Sequence, residues 1–397
     1  MKRTDFLKNI HRIVVKVGSH VLTDARGRPD PAVFRSLADQ VQALAQRGIE
    51  TVIVSSGAVA SGEALLRGSR KGGSIPEKQA LAAIGQTGLM SLYQQALDPY
   101  GKRAAQVLLT RDDLTNRRRY LNARNTLNKL LQFGTLPVVN ENDTVMVEEI
   151  KIGDNDNLSA RVALLVDAHL LVLLTDAPGL CPAGSGPVSE RTPISFVERI
   201  TPEVRRLAGG PGSRGTGGMV TKLEAAQIAT QAGLPAVVAP GDHDGVILEV
   251  LAGREVGTFF APLKDRLTHK QQWIAYTLPC RGTLFLDEGA VRALVHQGSS
   301  LLPSGILSAK GHFQNGDMVA CADRQGRECA RGITHYSSAE VAKIAGRKSS
   351  EIETVLGYRI QDEVIHRDEL VVLHEALPGP GDGPSPAALP VNEGEGL

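Results

Sequence analysis

Two lysines and one run of carboxylates and amides have the chemistry of a phosphate-handling site. Lys16 lies in Lys16-Val17-Gly18-Ser19, at the end of an apolar run, and Lys222 follows a segment in which six of the ten residues from Gly209 to Gly218 are glycine. A glycine loop that ends in a lysine at a helix start offers backbone N–H donors, the positive end of the helix dipole and a mobile cation, a set suited to phosphate. The alternative is a flexible linker. No G-x-x-x-x-G-K-[ST] string occurs, so any phosphate site lies outside the common P-loop class. Gly210 to Gly215 matches G-x-G-x-x-G, but it follows a helix-like segment, Pro202–Ala208, instead of a strand, which excludes the dinucleotide-fold reading. The densest polar stretch is Asp154-Asn155-Asp156-Asn157. One N-cap needs one such residue. Four exceed that need, and Leu158 and Ser159 stand where a calcium loop requires other residues. A role in holding cationic groups or a polar substrate remains. The ten histidines are scattered and there is no G-x-S-x-G elbow, so a nucleophilic triad has no support.

These residues need a scaffold, and the hydrophobic pattern supplies one. Short apolar, β-branched runs at Ile13–Val17, Thr51–Val54, Ala104–Leu109, Leu136–Val139, Leu170–Leu174 and Ala236–Val238 read as buried strands. Helix-period segments alternate with them at Pro31–Gln46, Lys78–Ala96, Tyr120–Gln132, Leu158–Asp167 and Val220–Gln231. Strands apolar on both faces and separated by helices predict a mainly parallel sheet in a three-layer αβα sandwich. Ligands of such sheets bind at the carboxyl ends of strands. Lys16-Val17-Gly18-Ser19, Ser55-Ser56-Gly57-Ala58, Asn140-Glu141-Asn142-Asp143 and Thr175-Asp176 all follow predicted strands, so they converge on one edge. Gly18, Gly57 and Gly62 would let backbone N–H groups face an anion there, although each could be an ordinary turn glycine. The expected sandwich domain covers residues 1–262 and a connector 263–280. Short Gly-punctuated segments over 281–360 suggest a small β-rich domain. The remainder, 361–397, ends in a Pro/Gly-rich tail expected to be disordered.

Composition narrows the function classes. Lys and Arg number 44 against 43 Asp and Glu, and aromatics are 4%, which argues against a protein built to coat nucleic acid or stack bases. Arg111 and Arg117-Arg118-Arg119 read as a solvated, charge-balanced loop, since Asp112 and Asp113 lie among them. The four cysteines form no C-x-x-C pair, so neither a zinc knuckle nor a dithiol motif is expected, and a reducing, cytoplasmic setting fits. The charged segment Met1–Arg12 has no signal-peptide core, and no apolar stretch is long enough to span a bilayer.

Taken together, Val15–Ser19, Ile53–Ala58, Leu121–Arg124, Val139–Asp143, Glu149–Ser159, Leu174–Asp176 and Gly215–Lys222 resemble the amino acid kinase family. Asp287–Ala290 with Gly298–Pro303 resembles the PUA domain appended to some members. Within the family, Glu149–Leu158 beside a PUA-like segment points to the members that phosphorylate glutamate. The resemblance implies ATP-dependent transfer to the γ-carboxylate of L-glutamate with Mg²⁺, the first step of proline biosynthesis. It implies that Lys16 and Lys222 flank the migrating phosphoryl group, with Asp156 orienting them. Ser56, Asp143 and Asn155 match substrate positions. Lys16, Thr175, Asp176, Thr216, Gly217, Gly218, Met219, Val220, Thr221 and Lys222 match nucleotide positions. No residue is assigned to the metal. A γ-glutamyl phosphate reductase as functional partner, proline as feedback inhibitor and a homo-oligomer are further family expectations. Since PUA-like modules bind RNA elsewhere, RNA binding is the rival reading. Its weakness is charge: Arg281–Arg359 holds ten Lys/Arg against eight Asp/Glu, less than the usual basic footprint.

Overall fold

The computed structural model describes residues 2–66, 74–145, 154–182, 191–208, 217–263, 271, 274 and 278–373. The chain forms two compact units, residues 1–272 and 273–397. In the first, eight strands share one sheet: β1 (Arg12–Val17), β2 (Glu50–Ser55), β3 (Ala104–Leu109), β4 (Leu136–Glu141), β5 (Leu170–Thr175), β6 (Phe196–Val197), β7 (Ala236–Pro240) and β8 (Thr258–Phe260). Their order is β3-β4-β2-β1-β5-β7-β8-β6. All neighbours are parallel except β7 and β8. The six predicted strands are β1–β5 and β7. The pattern did not show β6 and β8, which are too short to carry a period.

The pleat decides which way Lys16 points. Ile13, Val15 and Val17 belong to a core that includes Phe34, Leu37, Val41 and Leu44 from the helix Pro31–Gln46 and Leu89 and Tyr93 from the helix Ile75–Leu97. Successive strand side chains alternate, so Lys16 faces the opposite layer. That layer contains the helices Asp154–Leu165 and Gly217–Gln231, which pack on each other and on the sheet. Pro31–Gln46 is a well-signalled helix. Asp30 caps it by accepting from the Ala32 N–H, Pro31 opens it, and Phe34, Leu37, Val41 and Leu44 form its buried stripe. Truncating Leu44, fully buried, to alanine would cost about 2–5 kcal/mol.

Gly62 does not open toward an anion. It lies in the helix Ala58–Leu65, where a Cβ would stand 2.0 Å from the Leu81 carbonyl oxygen, and a Cβ on Gly85 would stand 1.8 Å from that of Ala58. The two glycines allow the helices Ala58–Leu65 and Ile75–Leu97 to touch backbone to backbone. The arginines read as a loop also differ from expectation. Arg111–Thr115 and Arg117–Gln132 are helices, capped by Thr110 and Asn116, with Arg119 paired to Asp113 at 3.2 Å. At the start of the chain, the guanidinium of buried Arg3 donates to the carbonyls of Arg254 (2.9 Å), Val256 (2.9 Å), Gly257 (2.6 Å) and Ser195.

The second unit has a five-stranded sheet of β9 (Cys280–Leu286), β10 (Ile306–Gly311), β11 (Met318–Ala322), β12 (Glu328–Ile333) and β13 (Leu370–Val372), ordered β10-β9-β11-β12-β13. Leu284, Leu286, Leu294, Val319, Tyr336 and Ile344 lie in its core. The sheet extends past the expected limit at residue 360, because Leu370–Val372 pairs antiparallel with β12. Three described helices, Glu288–Gln297, Ser338–Ile344 and Ile352–Leu356, accompany it. The Pro/Gly tail expected to be disordered lies outside the described residues.

Candidate active site

The polar run at the start of the helix Asp154–Leu165 divides its work by helical geometry, since successive side chains point about 100° apart. Asn155 turns toward β2 and β4, where its Nδ2 donates to Ser56 Oγ at 3.2 Å and to Asn140 Oδ1 at 3.1 Å. Asp156 turns toward β1 and the helix Gly217–Gln231. Its Oδ1 lies 2.6 Å from Lys16 Nζ and its Oδ2 lies 3.3 Å from Lys222 Nζ, and Thr221 Oγ1 donates to Oδ2 at 2.7 Å. Asn157 ties the two helices together by donating to Glu224 at 3.3 Å. Three of the four polar residues thus have distinct partners, which explains a run longer than a cap requires. The side chain of Asp154 lies outside the described set.

Lys16, Lys222 and Asp156 meet although the lysines are 206 positions apart, with 4%, 7% and 0% of their surfaces exposed. Two buried ammonium groups share one carboxylate. When all three are ionised, these three groups together carry one net positive charge, which suits an anion. Burial pushes the Lys16 pKa below the ordinary lysine value; Asp156 opposes that shift and Lys222 adds to it. Lys222 also donates to the Gly218 carbonyl at 3.0 Å, so the helix's own first turn holds it.

The nucleotide-type positions lie around this cluster. Thr175, buried at the end of β5, donates to Asp176 Oδ1 at 3.0 Å. Asp176 Oδ2 is 3.4 Å from His20 Nδ1. Partial burial works against the Asp176 charge, but the Thr175 hydroxyl, His20 and Lys222 hold its carboxyl below the usual range. The same carboxylate favours the charged form of Lys16. Gly217 and Gly218 open the helix that carries Thr221 and Lys222, with Met219 buried and Val220 exposed. Thr216, Glu149–Gly153 and the glycine loop before residue 217 lie outside the described residues.

On the substrate-type side, Ser56 precedes Gly57, whose φ of 100° is left-handed backbone that favours glycine and that starts the helix Ala58–Leu65. Asp143 is half-buried in the short turn Asp143–Val145 after β4, which packs on the helix Ile75–Leu97. Asn140 heads the strand-end string Asn140–Asp143, whereas Gln86 stands outside every motif of the sequence. Asn140 Nδ2 donates to Gln86 Oε1 at 2.9 Å, and Gln86 Nε2 donates to Gln106 Oε1 at 3.2 Å. Gln86 gives no signal because it is one of four glutamines in the helix Ile75–Leu97. His20 also escaped notice, as a surface histidine in a four-residue helix.

The described residues include no group of three His, Cys, Asp or Glu side chains able to hold a metal ion, and Asp156 is already shared by two lysines and a hydroxyl. No metal ligand is assigned here. No described helix is long and apolar enough to cross a membrane.

The amino acid kinase family profile matches residues 11–240 and the PUA domain profile matches residues 282–356. Among curated relatives, the chain is 48% identical to glutamate 5-kinase of Pelobacter propionicus over 372 residues, 94% of this chain and 100% of that one. It is 50% identical to glutamate 5-kinase of Trichlorobacter lovleyi, covering 94% and 99%. It is 49% identical to glutamate 5-kinase of Geobacter sulfurreducens, covering 94% and 100%. With the sheet, the lysine–aspartate–lysine cluster and the appended second unit all in place, the chain belongs to the amino acid kinase family, among its glutamate 5-kinase members with a C-terminal PUA domain.

Proposed function

We propose that this chain transfers the γ-phosphoryl group of ATP to the γ-carboxylate of L-glutamate, giving ADP and γ-glutamyl phosphate, the first step of proline biosynthesis. The observation that carries this reading is the buried Lys16–Asp156–Lys222 cluster, two ammonium groups on one carboxylate. A glutamate carboxylate has a pKa of about 4.3, so at neutral pH it is already a nucleophile and needs no general base. The barrier is the approach of two anions and the charge on the transferring oxygens, which fixed cations offset. Lys16 and Lys222 act on those oxygens, and Asp156 positions both. Ser56, Asn155 and Asp143 hold glutamate, with Asp143 and the free acceptor of Asn155 suited to its ammonium group. Thr175, Asp176 and Thr216–Lys222 hold the nucleotide. Magnesium enters as the counter-ion of the ATP phosphates.

The product is a labile acyl phosphate, so a reductase that consumes it completes the reading. Family membership supports proline as a feedback inhibitor and a homo-oligomeric enzyme. Four free cysteines support a reducing, cytoplasmic setting. Purified protein with ATP, Mg²⁺ and glutamate is expected to form ADP and, with hydroxylamine present, γ-glutamyl hydroxamate. Equal turnover of aspartate or acetylglutamate would sink the assignment.

A further inference from the structure

One atom of Asn155 is unaccounted for. Its Nδ2 has two acceptors, but its buried Oδ1 has no hydrogen-bond partner among the described residues. A buried carbonyl without a donor is costly, and a carboxamide can exchange its two ends by turning over. Something must therefore hold Asn155 in this orientation.

The control begins at a group that cannot turn over. The backbone N–H of Glu141 can only donate, and it donates to Asn140 Oδ1 at 2.8 Å. Asn140 Nδ2 must then face away, and it meets Gln86 Oε1 at 2.9 Å. One bond would leave the Asn140 carboxamide able to swing; a second bond at its other end fixes its plane. Gln86 passes the same polarity outward to exposed Gln106. With Asn140 Oδ1 held as an acceptor, Asn155 has to present Nδ2 to it, and Oδ1 is left over. Asn140 is 1% exposed and Gln86 8%, so water competes little for these bonds.

We propose that Gln86 is a positioning residue for substrate recognition: by holding Asn140 Nδ2 it fixes the polarity of an amide relay, Gln86–Asn140–Asn155, that reserves Asn155 Oδ1 as an acceptor for the α-ammonium group of the substrate. Gln86 touches no substrate itself. This rests on the reading of Asn155 as a glutamate contact. Its consequence is selectivity for an amino diacid over the same diacid without its ammonium group. Such discrimination arises when a site's own polar group is left unpaired by the wrong ligand.

The test compares glutamate with glutarate as acceptors in the full-length enzyme. Gln86→Met, close in size but without a strong acceptor, is expected to raise KM for glutamate about tenfold. The glutamate-over-glutarate preference should shrink by a similar factor, while kcat and KM for ATP stay within about twofold. Gln86→Glu keeps an acceptor for Asn140 Nδ2 and should retain most of the preference. If Gln86→Met fails to fold, Gln86→Leu carries the same measurement. An unchanged preference, or losses spread equally over ATP and glutamate parameters, overturns the proposal. Asn155→Ala separates the two levels. If it leaves the preference intact, the parent assignment of Asn155 falls. If it abolishes the preference while Gln86→Met does not, only the role of Gln86 falls.

Discussion

The two units of this chain treat buried polarity in opposite ways. In the second unit, the buried polar residues Glu328 and Thr334 are matched close by in sequence, although His335 Nδ1 has no partner among the described residues. Glu328 pairs with Arg331 at 2.5 Å three residues along the same strand, and Thr334 donates to the Tyr336 carbonyl at 2.8 Å. At the site in the first unit, the buried polar groups come from distant segments and are incompletely matched among the described residues: two lysines share one aspartate, and Asn155 Oδ1 has no partner. Local, complete pairing stabilises a fold. Long-range, incomplete pairing leaves valence for a ligand, at a cost in stability that folds otherwise avoid.

The sharpest break of that contrast is Lys222→Ala. Removing a cation that acts mainly on the transition state should lower kcat by about 10³-fold or more, with KM for glutamate changed only severalfold. Steady-state kinetics that show intact kcat would place the Lys222 charge outside the chemistry. Next in size is Glu328→Ala in the small unit. It removes the carboxylate that Arg331, 16% exposed, pairs with and should cost about 1–3 kcal/mol in that unit's unfolding while kcat stays within about twofold. Calorimetry with parallel activity assays checks both halves.

The smallest effect concerns pH. Burial lowers the Lys16 pKa, so its ammonium loses its proton at a lower pH than a free lysine would. Activity should fall on an alkaline limb that begins below about 10.4. The stability sign is the reverse. Between the folded and unfolded pKa values the unfolded chain binds more protons, so rising pH favours the fold at this group. A pH–rate profile with a limb at or above the free-lysine value would contradict the cause assigned here.

The sequence made the scaffold legible where residues repeat a pattern. Continuous apolar runs such as Leu170–Leu174 and capped, amphipathic stretches such as Pro31–Gln46 bound their elements to within a residue or so. Phe196–Val197 and Thr258–Phe260 were invisible, because two or three residues display no period and only the neighbouring strands define them. At the site, charged motif residues were legible: Lys16, Asp156 and Lys222 do meet. Among the amides, Asn155 was legible as part of its motif and Gln86 was not. Gln86 is informative only through Asn140 and Glu141, a pairing created by the approach of a helix to β4. Gly62 misled for a related reason: a glycine near a strand end can serve a ligand or a helix crossing, and only the position of Leu81 decides.

The bonds of Arg3 have a consequence for synthesis. Its two terminal nitrogens donate to carbonyls at Ser195, Arg254, Val256 and Gly257, roughly 190 to 250 residues later in the chain. At ribosomal speeds of about 5–20 residues per second, Arg3 emerges roughly 10–50 s before the last of those acceptors. During that interval the terminal nitrogens of Arg3 lack these acceptors, so this set of bonds closes only once the far edge of the sheet has been translated.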